Sequence, residues 1–345
     1  MLRSGRFALA TSLGLFVALA AAASQAGPTT DLTFEEAAKR LHYNPDDRSA
    51  LRSERIIATD VERTRDDQLI AAVCLLLPVP LQTIQGNVGR GLNIELDPDV
   101  LAFGELSPDA GEAQFAALGY SASEAQEARA LLAVEPGERF NLSKAEGEAL
   151  RRALGGLDPQ EPASLDKAMA AYRKVLAARF SAYLASGLDG VAAYDFRDGV
   201  LEPAAELQAA YESAAPFLLE HFPGFGAALE AFPRAQPQSV SNKFYWIKLR
   251  VEDRPTFILV HQMVEAGDNY MLMSQRQFFV GHTYDAAQAV ALALPYGERT
   301  AVFYVNSAFT DKITGFFSGV AQSVGQSRMK EELSSYFGDI RKALK

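Results

Sequence analysis

Residues 243–281 read KFYWIKLRVEDRPTFILVHQMVEAGDNYMLMSQRQFFVG, and their spacing decides the fold. Three runs rich in aromatic and β-branched residues, 243–252, 255–265 and 270–281, are separated by the polar turns Asp253-Arg254 and Ala266 to Asn269. Such residues suit a pleated, half-buried surface, and turns this short join antiparallel neighbours. A fourth run, 300–308 (TAVFYVNSA), has the same character. Between them, residues 285–294 (DAAQAVALAL) read as a small helix. From Asp311 to about Leu344 the spacing predicts a long helix. Its inward stripe is expected to run Ile313, Phe316/Phe317, Val320, Val324, Leu333, Phe337, Ile340 and Leu344, with Gly315 and Gly319 permitting close approach to the sheet.

Upstream of these strands, residues 81–232 are rich in alanine and carry helical spacing. The clearest helix is 164–186, with Ser164 as cap and Leu165, Met169, Tyr172, Leu176 and Phe180 forming one buried stripe. Others fit 121–133, 143–154, 203–213 and 214–231, the last interrupted at Pro223-Gly224. Two glycine-containing stretches, Gly86 to Gly91 and Tyr194 to Gly199, read as a loop and a helix-connecting turn. Earlier still, 54–64 (ERIIATDVERT) and 68–77 (QLIAAVCLLL) flank the turn Arg65-Asp66-Asp67 as a hairpin, and Pro78 and Pro80 stop its second strand. Residues 31–43 form a short helix, with Thr33 and Glu36 spaced as a capping box.

The early hairpin has no nearby partner, so it is expected to join the later strands. That gives an α+β fold: an antiparallel sheet of about six strands gripped by a long C-terminal helix. Residues 27–53 are then an N-terminal helix and linker, 54–80 the hairpin, 81–237 a helical insertion, and 238–345 the remaining strands with the final helix. The competing arrangement is two domains split near Pro233.

Arg3 and Arg6 precede an apolar run from Phe7 to Ala23, and Ser24-Gln25-Ala26 supplies small residues for cleavage near Ala26. This is the pattern of a secretory signal peptide, which predicts a periplasmic or secreted protein with no stable membrane span after cleavage. The 345-residue chain is 48% hydrophobic and 10% aromatic, as expected of a folded protein. Its net charge of −10 and the absence of a long Lys/Arg block argue against a nucleic-acid partner. Cys74, the single cysteine, excludes an internal disulfide and reads as a small apolar core residue.

No HExxH, paired CxxC, GxxxxGK, GxGxxG or GxSxG motif is present, so no cofactor or metal is expected. Of four histidines, His261 and His282 could meet across the sheet, with Asp285 or Asp311 completing a metal site or a hydrolase-type base. A better-argued feature is the polar–aromatic mixture on the sheet. Strict alternation places Trp246 with Lys248 and Arg250 on one strand, and Gln275, Gln277 and Thr283 with Met271, Met273 and Phe279 on another. Tyr245, Tyr284, Tyr304 and Asn306 add polar tips to this surface. Such a lining suits a lipid or other apolar small molecule held between sheet and C-terminal helix. The candidate binding residues are Trp246, Met273, Gln275, Tyr284 and Phe316, and the protein is expected to bind rather than catalyse. A third possibility is a protein–protein adaptor in the envelope acting through the helical region.

Three segments, Ala182-Tyr183-Leu184-Ala185-Ser186-Gly187 with Tyr194-Asp195, Phe244-Tyr245-Trp246, and Ser274 to Phe278 with Gly281 to Ala286, together resemble a set of uncharacterised exported bacterial proteins. That likeness implies no activity and no functional residue. The order of hairpin, helices, strands and long C-terminal helix is similar to the START-like helix-grip fold, whose members often hold lipids under the last helix. The long helical insertion departs from that pattern.

Overall fold

The computed structural model describes residues 30–88, 97–109, 111–134, 139–196, 199–314 and 318–344. The expected leader, Gly89 to Gly91, Arg197-Asp198 and Gly315-Phe316-Phe317 lie outside them.

The chain opens with α1 (Phe34–Arg40) and α2 (Pro45–Arg52), each started by a capping box, Thr33 with Glu36 and Asn44 with Asp47. Next come β1 (Ile57–Asp60), β2 (Gln68–Leu77), α3 (Leu81–Val88) and β3 (Val100–Leu106). A helical stretch follows: α4 (Ala125–Leu132), α5 (Lys144–Leu154) and α6 (Pro162–Ser186). The small pair β4 (Tyr194–Phe196) and β5 (Gly199–Leu201) then leads to α7 (Pro203–His221) and α8 (Pro223–Ala231). The chain closes with β6 (Val240–Val251), β7 (Arg254–Ala266), β8 (Met271–Val280), β9 (Ala286–Tyr296), β10 (Arg299–Phe309) and α9 (Ser318–Ala343).

The fold is α+β. Eight strands form one antiparallel sheet in the order β1-β2-β10-β9-β8-β7-β6-β3, so the early hairpin does join the later strands. Two strands exceed the expected six. One is β3, from the stretch read as helical, which pairs with β6 as an edge strand. The other corrects the reading of 285–294, which is strand β9 and not a helix. The residues alternate: Ala287, Ala289, Ala291 and Ala293 turn to one face, and Gln288, Val290, Leu292 and Leu294 to the other. That period of two, with β8 and β10 on either side to pair with, outweighs the helix propensity of alanine. The segment 194–199 is likewise a small hairpin and not a plain turn between helices.

Two apolar clusters lie on opposite faces of the sheet. One face meets α9, where Met329, Leu333, Phe337 and Ile340 are buried against Leu69, Val73, Met273 and Tyr304. The Asp97 and Asp99 carboxylates just before β3 act on Tyr336 and Glu332 of α9, while Lys330 pairs with Asp60 of β1 at 2.9 Å. Both edges of the sheet therefore approach one helix, and the sheet curls around it. The inward stripe of α9 differs from expectation, because Val320 and Val324 are 70% and 47% exposed. Gly325 sets the phase: a Cβ there would lie 3.0 Å from Leu69 Cδ2, so the helix backbone sits close against β2 at that point. The buried positions then step on through Met329 and Leu333. The other face is covered by α1, α2 and α4 to α8.

Candidate functional site

Helix α7 carries mostly small residues, Ala210, Ser213 and Ala214, at helical spacing on the side facing the sheet, followed by Phe217. Small side chains there cannot fill the distance to the strands. A cleft of about 1220 Å³ results, walled by α7 on one side and by α1 with the segment 41–43 on the other. Its floor is the helix-covered face of the sheet: Leu272 of β8, Val290 and Leu292 of β9, and Phe303 and Val305 of β10. Phe34 stacks on Phe303 at 5.7 Å and meets Tyr296 edge-on at 4.9 Å, which fixes α1 at its place. Arg40 of α1 and Glu220 of α7 pair at 2.6 Å, joining the two walls through exposed side chains.

The inner end of this floor is polar, and register explains why. Arg276 of β8 is opposite Gln288 of β9, which is opposite Ser307 of β10. All three project from the helix-covered face, and Gln68 of β2 donates to Ser307 Oγ at 3.2 Å. Gln68 Oε1 in turn accepts from the backbone and hydroxyl of Thr64 at 2.8 and 3.1 Å. A row of polar side chains thus crosses four strands. Gln288 and Ser307 line the cleft, and Arg276 stands behind them.

Arg276 is 1% exposed. Its guanidinium donates to Gln288 Oε1 at 2.9 Å, to Leu229 O at 2.7 Å and to Tyr183 Oη at 3.4 Å. Tyr183 Oη bonds His261 Nδ1 at 2.8 Å, and His261 Nε2 bonds Asn242 Oδ1 at 2.8 Å. Burial, with Arg276 nearby, holds the His261 pKa well below its usual value. A neutral ring that donates from Nε2 accepts the tyrosine proton at Nδ1, so neither ring nitrogen is left for other chemistry.

The residues expected to act together are distributed differently. Met273, Gln275 and Tyr284 lie on the α9 face, where Tyr284 donates to Gln277 and Gln262 meets the Met273 sulfur. Trp246 is on the opposite face, its ring against Gly104. Phe279 also turns to the helix-covered face, because a bulge at Phe278 shifts the β8 register against β7. Phe316 lies outside the described residues.

His261 and His282 are not brought together. His282 bonds the Thr256 and Thr283 hydroxyls, five residues along β7 from His261, a distance of about 16 Å at strand rise. Burial first, then Arg254, pushes its pKa down to about 3. Asp285 bonds neither imidazole among the described residues; it lies near Glu206, and burial raises the pKa of both carboxyls. Among the described residues, no cluster of His, Cys, Asp and Glu could hold a metal ion, and no helix is long and apolar enough to cross a membrane. Among the described residues of 81–237, the large exposed apolar side chains Leu101, Val200 and Leu219 stand in separate elements.

The sequence reading missed Arg276, Gln288 and the cleft itself. A strand reading of 285–294 would have placed Gln288 opposite Arg276, and that was the available signal. Comparison with protein-family models, curated proteins and solved structures found no match to this chain.

Proposed function

We propose that this protein binds an apolar small molecule of lipid-like character in the cleft between α1, α7 and the sheet. The observation that carries this reading is the 1220 Å³ cleft with an apolar floor and a polar inner end. Ligand sites are concave, mostly apolar and furnished with a few placed polar groups. The site is thus moved from beneath α9, where side chains of helix and strands interlock, to the opposite face. Binding rather than catalysis is favoured because His261 and His282 are both engaged by neighbours. The leader supports action outside the cytoplasm, which the mass of the chain recovered from a periplasmic fraction tests directly.

The purified protein extracted with organic solvent should release an apolar compound detectable by mass spectrometry. N-phenyl-1-naphthylamine, a neutral dye that brightens in apolar sites, should bind and be displaced by alkyl chains. Each added buried methylene contributes about 0.8 kcal/mol, so displacement should strengthen about fourfold per carbon and then level off when the cleft is full. No extractable compound together with no dye binding would end this reading.

A further inference from the structure

We infer that the cleft takes an apolar molecule ending in a carboxylate, seated with the carboxylate inward against Gln288 and Ser307. This rests on the cleft being the binding site. An arginine donates at every nitrogen and cannot accept, so Gln288 must turn its Oε1 toward Arg276. Its Nε2 is then directed away from the guanidinium, and it is buried without a partner. Ser307 Oγ already accepts from Gln68, which leaves its hydroxyl hydrogen to donate. Two adjacent donors on the cleft lining therefore call for an acceptor.

Charge narrows the choice. Arg276 has no carboxylate within ion-pair distance among the described residues, and its partners Gln288, Tyr183 and the Leu229 carbonyl are all neutral. The Leu229 carbonyl belongs to the last turn of α8, so the helix end offers only a fraction of a negative charge. A buried charge without a full counter-charge is costly, and an anion brought close to it recovers part of that cost. The mouth of the cleft does the opposite. On the α1 side, Asp31 and Glu36 outnumber Lys39, and Arg40 is already paired with Glu220; Asp60 of β1 is paired with Lys330. A carboxylate left at the mouth meets like charge, whereas one at the inner end meets two donors backed by a guanidinium. The two ends of the cleft thus orient the molecule.

The test is displacement of N-phenyl-1-naphthylamine by hexadecanoate, hexadecanol and methyl hexadecanoate, which share one chain and differ at the head. Hexadecanoate should displace the dye at a concentration at least tenfold lower than either neutral compound. Arg276→Met should abolish that preference; it also strips Gln288 Oε1 and the Leu229 carbonyl of their donor, so its melting temperature should fall and displacement is read below that temperature. Gln288→Glu supplies a protein carboxylate at the same place. It should raise the melting temperature and eliminate the preference for the acid. Dye binding with equal displacement by all three compounds overturns the carboxylate inference and leaves the cleft reading intact. Preference retained in both variants overturns the role of the Arg276–Gln288 pair. A protein that binds neither dye nor hexadecanoate overturns both readings.

Discussion

Both faces of the sheet carry an apolar cluster; on one, helix and strand side chains pack against each other, and on the other a cleft opens. On the α9 face, β9 presents a row of alanines, and larger side chains from α9 and the neighbouring strands, Met329, Phe337, Met273 and Tyr304, occupy the interior beside them. Tyr304 and Phe337 meet edge to face at 5.0 Å. On the other face the sizes are reversed over the middle of α7: the strands bring Leu292, Phe303 and Val305, and α7 brings Ala210, Ser213 and Ala214 before Phe217. Small residues on the inner face of a curved sheet are filled by side chains of the helix it holds. Small residues on an overlying helix are not, because the helix is held off by its bulky neighbours. Space is thus decided by which partner carries the small side chains, and hydrophobicity alone does not reveal it.

The largest test of that contrast is Phe337→Ala. Removing a fully buried aromatic side chain from a packed interior costs about 3–5 kcal/mol, read as a fall in the urea midpoint with unchanged slope, while dye affinity at 25 °C stays within twofold. Lost dye binding without lost stability would mean that the open space lies beneath α9 after all. Ionisation separates the faces next. Glu206 and Asp285, on the helix-covered side, are buried with one oxygen each unpartnered, and burial raises both carboxyl pKa values. The folded state keeps their protons at pH values where the unfolded chain has released them. Their contribution is therefore intact below the ordinary carboxylate range and is lost as pH rises through neutrality. The fall is at most about 1.4 kcal/mol per pH unit for each group. Glu206→Gln should flatten the decline measured by urea denaturation between pH 5 and 8. An unchanged pH slope would show that this carboxyl is ionised in the folded protein.

A smaller effect on folding, with a large one on binding, is expected from Ala214→Phe, which places a ring in the cleft. Overpacking penalties of about 1–3 kcal/mol arise where a core is already full. Here room exists, so the melting temperature should shift by only a few degrees while dye affinity drops at least tenfold. A large loss of stability with retained binding would show that this part of α7 is tightly packed.

Most of the sheet was legible because β6, β7, β8 and β10 carry aromatic and β-branched runs with short turns, signals that local chemistry enforces. The long helices were legible from spacing and caps. β9 was not, since alanine is a good helix former and only its neighbours impose extension. β3 was hidden for a related reason: VLAFGEL is short, lies at an edge and contains Gly104, whose missing side chain makes room for Trp246. The cleft was illegible because it depends on side chains from α1, α7 and five strands, β1, β2 and β8 to β10, that span most of the chain. The expected site also mixed faces. Trp246 cannot be assigned to the same side as Met273 until register across β7, with its bulge, is known.

The smallest predicted effect concerns the phase of α9. Sequence spacing put Val320 and Val324 inward, whereas the helix turns Ala321 and Gly325 toward the sheet and leaves both valines in water. Valine is a modest helix former and gains nothing from burial there, so Val320→Lys should change stability by less than about 0.5 kcal/mol. The matched change one turn beyond Gly325, Met329→Lys, would force an unpaired ammonium into the interior and should prevent cooperative unfolding at a wild-type midpoint. Urea midpoints of the two variants compare them directly. If Val320→Lys proves as damaging as Met329→Lys, the helix is rotated by about 100° from the orientation described, and the packing on this face would have to be built from other side chains.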